Sequence, residues 1–424
     1  MSKTLFRNVN ILDCTGAAPF AGAVLIEGNR IKAVAPQGAT IPAEDAQVVD
    51  GMGATLMPGL VESHSHLTFL DTADLESLGF VPPEEHILRS VLNAKKMLDQ
   101  GFTACNSAAS AKARLDIVLR NAIDAGDFPG PRTRAASPEL ATTAGLGDVR
   151  LRHMHRETFA IICDGPDEFR KTAREMVREG VDTLKINPSG DEFVAHSRAH
   201  QTVMTEAEIA SVCEVAHMHD KRVAAHCRSA LSVKLALKHG VKVIYHATLV
   251  DDEACAALEA ARDWCFVAPT LGITYTTLNE AGKWGLTTEI AESMGMRREM
   301  DIAIRNMQEL KRRGVRILPG GDYGFAWNPI GTNARDIEHF VTLLGFSPMD
   351  AILSATKLGG EIMMLEHELG QVKPGFLADL ILVDGNPLAN VAILQDAGKL
   401  LAIMKDGAFH KTVVARREEQ RQTA

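Results

Sequence analysis

The sequence predicts an α/β protein, a (β/α)8 TIM-type barrel with a small β-sandwich domain built from both chain termini. The chain of 424 residues is longer than one ordinary core requires. From about residue 58, apolar segments alternate with long amphipathic segments, the pattern of βα units around a parallel sheet. Short strand-like segments separated by turns occur at both chain ends. We therefore assign residues 1–57 and 368–424 to the β-sandwich domain and residues 58–367 to the barrel.

The two terminal segments have the pattern of one small β module in two halves. Glu27-Gly28-Asn29-Arg30 has the composition of a tight hairpin turn. Lys373-Pro374-Gly375 and Lys405-Asp406-Gly407 are turn sequences in the second half. The strands predicted here are Leu5–Ile11, Ala23–Glu27, Arg30–Ala35, Ala46–Asp50, Ala378–Val383 and Leu401–Lys405.

The central segment alternates predicted strands with predicted helices. Thr205 followed by Glu208 before an apolar-periodic run indicates a capping box at the start of one helix. A helical stretch near residues 347–367 closes the barrel. The strands predicted here are Leu56–Val61, Phe102–Cys105, Thr183–Ile186, Arg222–Ala225, Val243–Tyr245, Cys265–Ala268 and Arg316–Leu318.

Composition argues against several classes of partner. The net charge of −9 and the pI of 5.9 oppose nucleic acid or an anionic membrane as the main partner. The basic cluster at 296–313 alternates with Glu299, Asp301 and Glu309, as expected for a solvated helix face. No apolar run reaches the ~18 residues of a membrane span, and the N-terminus lacks the apolar core of a signal peptide. Seven cysteines without a C-x-x-C pair indicate reduced thiols. We expect a cytoplasmic homo-oligomer that acts on a small molecule.

A strand runs directly into the pair His64 and His66. Side chains at i and i+2 of a strand project to the same face, so both imidazoles can reach one ion. The spacing alone is a weak signal, because His153/His155 and His217/His219 share it. The second of these pairs falls on a predicted helix, where such residues do not face each other.

Ligand-type residues follow other predicted strands. In a barrel of this kind the chemistry sits at the carboxyl ends of the strands. Each residue alone has a structural explanation, such as a core histidine or an aspartate that caps a helix. Their joint occurrence after the His-x-His strand favours a common site. These residues are Lys185, His226, His246 and Asp322.

Two longer motifs complete a pattern that resembles the amidohydrolase superfamily of metal-dependent hydrolases. Residues 57–66 read Met-Pro-Gly-Leu-Val-Glu-Ser-His-Ser-His, and residues 369–380 read Leu-Gly-Gln-Val-Lys-Pro-Gly-Phe-Leu-Ala-Asp-Leu. Lys185-Ile186 with Ser189-Gly190 is similar to the branch of Xaa-Pro dipeptidases, imidazolonepropionase-like proteins and ochratoxin-hydrolysing amidohydrolases. Residues 106–110 and 145–148 depart from that pattern in loops on the substrate side.

The resemblance implies a binuclear metal site. One ion takes His64, His66 and Asp322, and the second takes His226 and His246. Lys185 bridges both after carbon dioxide converts its amine to a carbamate, because an ammonium there would repel two cations. Imidazole ligands favour Zn²⁺ over magnesium or calcium.

This assembly predicts amide hydrolysis. A metal-bound hydroxide attacks the amide carbonyl, and Asp322 transfers the proton to the leaving nitrogen as general acid/base. The expected substrates are N-acyl amino acids or dipeptides, as for Xaa-Pro dipeptidases, including bulky aromatic amides such as ochratoxin A. The alternatives are a cyclic amidohydrolase of the imidazolonepropionase-like type, a deaminase, or a catalytically silent scaffold. Lys185 counts against mononuclear deaminases, and the complete ligand set counts against a scaffold.

Three residues are candidate substrate contacts. Arg228, two residues beyond His226, either clamps a substrate carboxylate or begins a helix and pairs with a surface carboxylate. Tyr323, next to Asp322, either offers a phenolic donor or packs on the opposite strand face. His153 either contacts substrate or belongs to a solvated loop. The loop at 68–83 and the Phe325/Trp327 segment are expected to line the part of the pocket that holds the acyl group of the substrate.

Overall fold

The computed structural model describes residues 2–153 and 158–412 of a mixed α/β protein. Its strands form sheets of eight, seven and three strands. The strands are β1 Lys3–Ile11, β2 Phe20–Glu27, β3 Arg30–Pro36, β4 Gln47–Asp50, β5 Thr55–Pro58, β6 Leu60–Ser65, β7 Phe102–Ser107, β8 Arg132–Arg134, β9 Ala136–Ala141, β10 Ala160–Ile162, β11 Thr183–Ile186, β12 Arg222–Ser229, β13 Val243–Leu249, β14 Phe266–Ala268, β15 Arg316–Ile317, β16 Leu380–Val383, β17 Leu400–Lys405 and β18 Ala408–Lys411.

The α-helices lie mainly between the strands of the central segment. In the described part of the chain, none is long and apolar enough to cross a membrane. The capping box predicted at Thr205 and Glu208 is confirmed at the start of α4. The helices are α1 Pro83–Asp99, α2 Leu115–Asp124, α3 Pro166–Glu179, α4 Glu206–Met218, α5 Ala230–Lys238, α6 Asp252–Ala260, α7 Leu271–Asn279, α8 Thr288–Ser293, α9 Met296–Arg312, α10 Arg335–Thr342, α11 Pro348–Ala355 and α12 Lys357–Ile362.

Strands from both ends of the chain pair in the eight-stranded sheet. Its order is β18-β17-β16-β5-β1-β2-β3, with β4 beside β1. The antiparallel pair β5 and β16 joins the two ends, with Met57 opposite Ile381. The predicted hairpin turn is confirmed, since Glu27 pairs with Arg30 between β2 and β3. The sandwich form and the division at residues 57 and 368 remain predictions.

The strands of the central segment are parallel. One sheet has the order β6-β7-β8 and the other β10-β9-β11-β12-β13-β14-β15. An isolated bridge between Ser65 and Tyr323 connects the end of β6 to the chain after β15. A closed eight-stranded barrel remains a prediction, but the parallel arrangement brings the carboxyl ends of these strands to one side.

Two features of these strands differ from the sequence-based expectations. The expected strand Leu56–Val61 is divided at Gly59, whose backbone lies so close to Thr103 that a Cβ would sit 2.1 Å from the hydroxyl oxygen. The strands β8, β9 and β10 were not expected, because β8 and β10 have only three residues each and β9 consists mostly of residues with low strand propensity. Burial of all six residues of β9 forms that strand despite its composition.

Candidate active site

The ligand-type residues lie together at the carboxyl ends of the parallel strands. His64 is in β6, Lys185 in β11, His226 in β12 and His246 in β13. Asp322 follows β15, and its backbone N–H donates to the His64 carbonyl over 3.1 Å. Neighbouring parallel strands therefore bring together residues that are far apart in sequence.

Asp322 forms the centre of the group. Its Oδ1 lies 3.0 Å from His66 Nε2 and 3.4 Å from His64 Nε2. Ligand atoms of His64, His246 and Asp322 all lie within 4.8 Å of one another. The His226 and His246 ring centroids are 4.1 Å apart. We call His64, His66, His226, His246 and Asp322 the histidine cluster.

Fixed acceptors identify which imidazole nitrogens carry hydrogen. His66 Nδ1 lies 3.1 Å from the Ala109 carbonyl, and His226 Nε2 lies 3.1 Å from the Gly190 carbonyl. A carbonyl oxygen only accepts, so these nitrogens are the donors. The lone pairs then sit on His66 Nε2 and His226 Nδ1. His66 Nε2 faces the Asp322 carboxylate, and two lone pairs only 3.0 Å apart repel unless a cation lies between them.

Burial keeps the cluster in the protonation states that metal ligands need. Burial lowers the pKa of His64 to about 4, and burial together with Arg228 lowers the pKa of His226 and His246 well below the ordinary value. Burial alone would raise the pKa of Asp322, whereas positive charge at His64 and His66 holds it well below its usual range. With the imidazoles neutral, a cation between these residues must supply that charge. Neutral imidazoles beside a carboxylate are an electron-pair donor set.

This donor set fits a divalent cation. Asp322 Oδ1 and His246 Nε2 are buried and have no hydrogen-bond partner among the described residues. Such unsatisfied atoms are costly unless something else occupies their lone pairs. Separations of 3.0 and 3.4 Å are those expected of atoms about 2.0–2.2 Å from one ion.

Lys185 is buried beside this group. Its side chain is 1% exposed, and Nζ lies 3.6 Å from Glu139 Oε1 and 5.1 Å from the Tyr245 ring centroid. Within the described chain, Nζ makes no hydrogen bond. A buried ammonium without hydrogen bonds is an unfavourable arrangement.

Arg228 is held in β12 by buried partners, so neither the helix start nor the surface ion pair is found. Its Nε donates to Asp191 Oδ2 over 2.7 Å, and Nη1 donates to Glu299 and, over 3.3 Å, to Thr248. We call these four residues the Arg228 cage. Nη2 has no partner among the described residues, and Arg228 lines the cavity. Burial raises the pKa of Glu299 to about 7 against the opposing effect of Arg228.

A cavity of about 310 Å³ connects the histidine cluster with Arg228. One wall is aromatic: Phe69 stacks on His66 at a centroid distance of 4.0 Å, and Phe325 packs 5.9 Å from Trp327. Phe159 extends this wall 5.7 Å from Phe69. The cavity is therefore apolar on the side of His66 and charged near Arg228.

The structure does not bring the other two candidate contacts to this cavity. The Tyr323 hydroxyl donates to the Asn333 carbonyl and to Asp336, and the ring is buried away from the cavity lining. His153 lies in an exposed turn outside the lining, and His155 lies outside the described residues. His217 and His219 are exposed at the end of α4.

Several residues around the site were not identified from the sequence. Glu139 lies in β9, a strand that was not predicted from the sequence. Asp191 directly follows Ser189-Gly190 but was not predicted as a site residue. Glu299 was assigned to a solvated face, and this is wrong: its side chain is 4% exposed and pairs with Arg228. Thr270 orients His246 through a 2.5 Å contact with Nδ1.

Comparison with known proteins gives a consistent family. The model of the amidohydrolase family matches residues 55–409. Ochratoxinase from Aspergillus niger is 24% identical over 414 residues, covering 93% of this chain and 84% of the relative. Imidazolonepropionase from Rubrobacter xylanophilus is 23% identical over 401 residues, covering 91% and 90%. A prolidase solved with N-methylphosphonate-L-proline has a TM-score of 0.86 at 26% identity, covering 97% of this chain and 100% of the other. The chain therefore belongs to the amidohydrolase family and is a hydrolase that acts on carbon–nitrogen bonds.

Proposed function

We propose that this protein hydrolyses the amide bond of N-acyl amino acids or dipeptides. The observation that carries the proposal is a buried guanidinium, Arg228, in the same cavity as the histidine cluster, whose Nη2 has no partner among the described residues. A guanidinium is a suitable partner for the carboxylate of the amino acid that is released. The names of the similar ochratoxinase and prolidase agree with this assignment.

The histidine cluster and Lys185 would hold two divalent ions, with zinc favoured by the imidazoles and Lys185 as a bridging carbamate. Bound ions of this kind lower the pKa of water and polarise a carbonyl. Three atoms of the cluster have no hydrogen-bond partner among the described residues, His64 Nδ1, His246 Nε2 and Asp322 Oδ1, and the last two support this ligand set. Among the described residues, the unmodified ammonium of Lys185 has a 3.6 Å ion pair with Glu139 and a contact with the Tyr245 ring but no hydrogen bond, which supports its modification.

Asp322 would move the proton. Its lowered pKa keeps the carboxylate ionised at neutral pH and makes the protonated form a strong acid toward the departing nitrogen. Oδ1 faces the histidines, which leaves Oδ2 to take the proton from the attacking water and deliver it to the departing nitrogen. General acid–base transfer of this kind is worth about 10²–10⁴ in rate.

The walls of the cavity orient the substrate. Phe69, Phe159 and Phe325 form an apolar surface beside His66, which suits an apolar or aromatic acyl group. Arg228 lies in the charged part of the cavity, where the carboxylate of the leaving amino acid would sit. The acyl group would therefore lie on the aromatic wall, with the scissile bond at the histidine cluster.

Cyclic amide hydrolysis is the second candidate. The similarity to imidazolonepropionase across 91% of this chain favours it. Turnover of a cyclic imide with no turnover of N-acyl amino acids would select this alternative.

The central experiment changes Arg228 and compares an N-acyl amino acid with its carboxamide. Arg228→Lys keeps a positive charge beside Asp191 and Glu299, but its donors are all on one nitrogen, so it cannot bind these acids and also present a separate nitrogen to the cavity. Losing a charge-assisted hydrogen bond costs about 1.5–3 kcal/mol, so kcat/KM on the acid should fall roughly 10- to 150-fold. The carboxamide should be nearly unaffected.

Arg228→Met removes the charge as well and tests the same contact. It leaves two buried carboxylates unpaired, a change that costs about 3–5 kcal/mol, so its thermal stability must be measured alongside activity. Arg305→Met, an exposed position on α9, is the matched control. An equal loss on acid and carboxamide would show that Arg228 is structural and would remove the anchor for the proposed substrate class.

A further inference from the structure

We propose that Glu299 determines how strongly Arg228 attracts a carboxylate, and thereby sets the preference of the cavity for acidic over uncharged ligands. The inference rests on the proposed function, which gives Arg228 its role. Glu299 lies in the first turn of α9 and is not part of the cavity lining. It would therefore act through Arg228, as a positioning residue.

The contacts of Arg228 leave one direction for a ligand. Nε is fixed by Asp191, and Nη1 is shared between Glu299 and Thr248. The backbone N–H of Arg228 donates to Ser189 Oγ over 2.7 Å, which fixes the base of the side chain. With these donors occupied, Nη2 is the group that remains for the cavity.

The charges of the cage oppose an arriving anion. One guanidinium faces two carboxylates, Asp191 and Glu299, and all three side chains are at most 7% exposed. When both acids are ionised, the cage carries one net negative charge in a region where water screens little. A carboxylate at Nη2 then gains a hydrogen bond but meets a negative environment. Removing the charge of Glu299 would leave the cage neutral and the hydrogen bond intact.

Of the two carboxylates in the cage, Glu299 has fewer contacts that require its negative charge. Its Oε2 is buried and has no hydrogen-bond partner among the described residues. A buried carboxylate oxygen without a donor destabilises the fold, and an apolar residue would avoid that cost. Asp191 differs, because its Oδ2 also lies 3.7 Å from His226 Nε2 and its loss would disturb the histidine cluster. Glu299 therefore offers the cleaner test.

The experiment measures binding rather than turnover. The probes are N-methanesulfonyl-L-phenylalanine and its carboxamide, titrated by calorimetry into the purified protein. A sulfonamide replaces the acyl amide in both, so neither probe is hydrolysed during the titration. At about pH 9, where Glu299 is ionised, Glu299→Gln should bind the acid more tightly than the wild type by a factor on the order of ten, the effect of one screened charge at this range. Affinity for the amide should change less than about twofold. Glu309→Gln, on the same helix and paired only with Arg312 and Arg313, should leave both affinities unchanged.

A second variant of Glu299 and a comparison with Arg228→Lys distinguish failure of this inference from failure of the proposed function. Glu299→Met removes the charge without adding a buried N–H donor, so it carries the test if the glutamine variant does not fold. If neither variant tightens acid binding, or if both probes change alike, the inference is overturned. If Arg228→Lys leaves the ratio of acid to amide affinity unchanged, the proposed substrate contact fails instead. A shift with Arg228→Lys but not with Glu299→Gln overturns only the role of Glu299.

Discussion

The histidine cluster and the Arg228 cage are both buried at strand ends on the same cavity, yet their polar atoms are satisfied in opposite ways. In the cluster, Asp322 Oδ1 and His246 Nε2 have no partner in the described chain. In the cage, Asp191, Thr248 and Glu299 occupy the guanidinium on two of its nitrogens. The first arrangement lacks positive charge and is suited to bind cations. In the second arrangement, two carboxylates already compensate the charge of Arg228. The guanidinium can therefore orient a ligand carboxylate but attracts it only weakly.

The largest effect is expected where the cluster depends on Lys185. Lys185→Arg keeps a cation but cannot form a carbamate, so metal content should fall by about one ion per chain and activity should be lost with it. Elemental analysis together with turnover measures both. Lys242→Arg, an exposed lysine just before β13, is the control. Full activity with two ions per chain in Lys185→Arg would rule out the bridging role.

The next largest effect separates metal binding from proton transfer at Asp322. Asn keeps an oxygen ligand but cannot accept a proton, so Asp322→Asn should retain metal while kcat falls by roughly 10² or more. Metal content and KM should stay near the wild-type values. An unchanged kcat would remove Asp322 from the proton transfer and leave it as a ligand only.

The same contrast explains what the sequence could reveal. The residues of the histidine cluster follow apolar strands. The i, i+2 spacing in a strand pointed to His64 and His66, and the rule that parallel strands carry chemistry at their carboxyl ends pointed to His226, His246 and Asp322. The charged partners of Arg228 follow no such rule. Asp191 lies in a loop, and Glu299 sits in an alternating charged helix whose sequence is typical of a solvated face. The packing of α9 against β13 and the ion pair with Arg228 of β12 bury that carboxylate, and no local pattern encodes this arrangement.

The fold shows a similar limit. Strands with apolar runs, such as Thr183–Ile186, were predicted with their observed bounds. The segment Ala136–Ala141 is a strand because it is buried beside β11, although Ala, Ser, Pro and Glu have low strand propensity. Glu139 was missed together with its strand. Where the composition of a segment does not favour a strand, as in β9, pairing with a strand distant in sequence therefore determines the structure.

The smallest effect tests how precisely the cluster is oriented, and it concerns Thr270. Its Oγ1 lies 2.7 Å from the Pro269 carbonyl, which only accepts, so the hydroxyl donates there. Its oxygen then accepts from His246 Nδ1–H at 2.5 Å, which leaves the lone pair of His246 on Nε2, toward the cluster. A hydrogen bond that fixes the tautomer of a ligand typically contributes 10- to 100-fold to affinity or activity.

Thr270→Val is a clean probe of that hydrogen bond. Thr270 has φ = 59°, a strained conformation for a β-branched residue, and valine has the same branching and shape. The backbone strain is therefore similar in both proteins, and only the hydroxyl is removed. We expect metal affinity or kcat/KM to fall roughly 10- to 100-fold, with the change in melting temperature measured in parallel. Thr276→Val, in α7 and bonded to the Gly272 carbonyl instead, is the matched control for loss of a buried hydroxyl. If Thr270→Val matches this control in metal affinity and activity, the tautomer of His246 does not depend on Thr270 and the cluster is positioned by its strands alone.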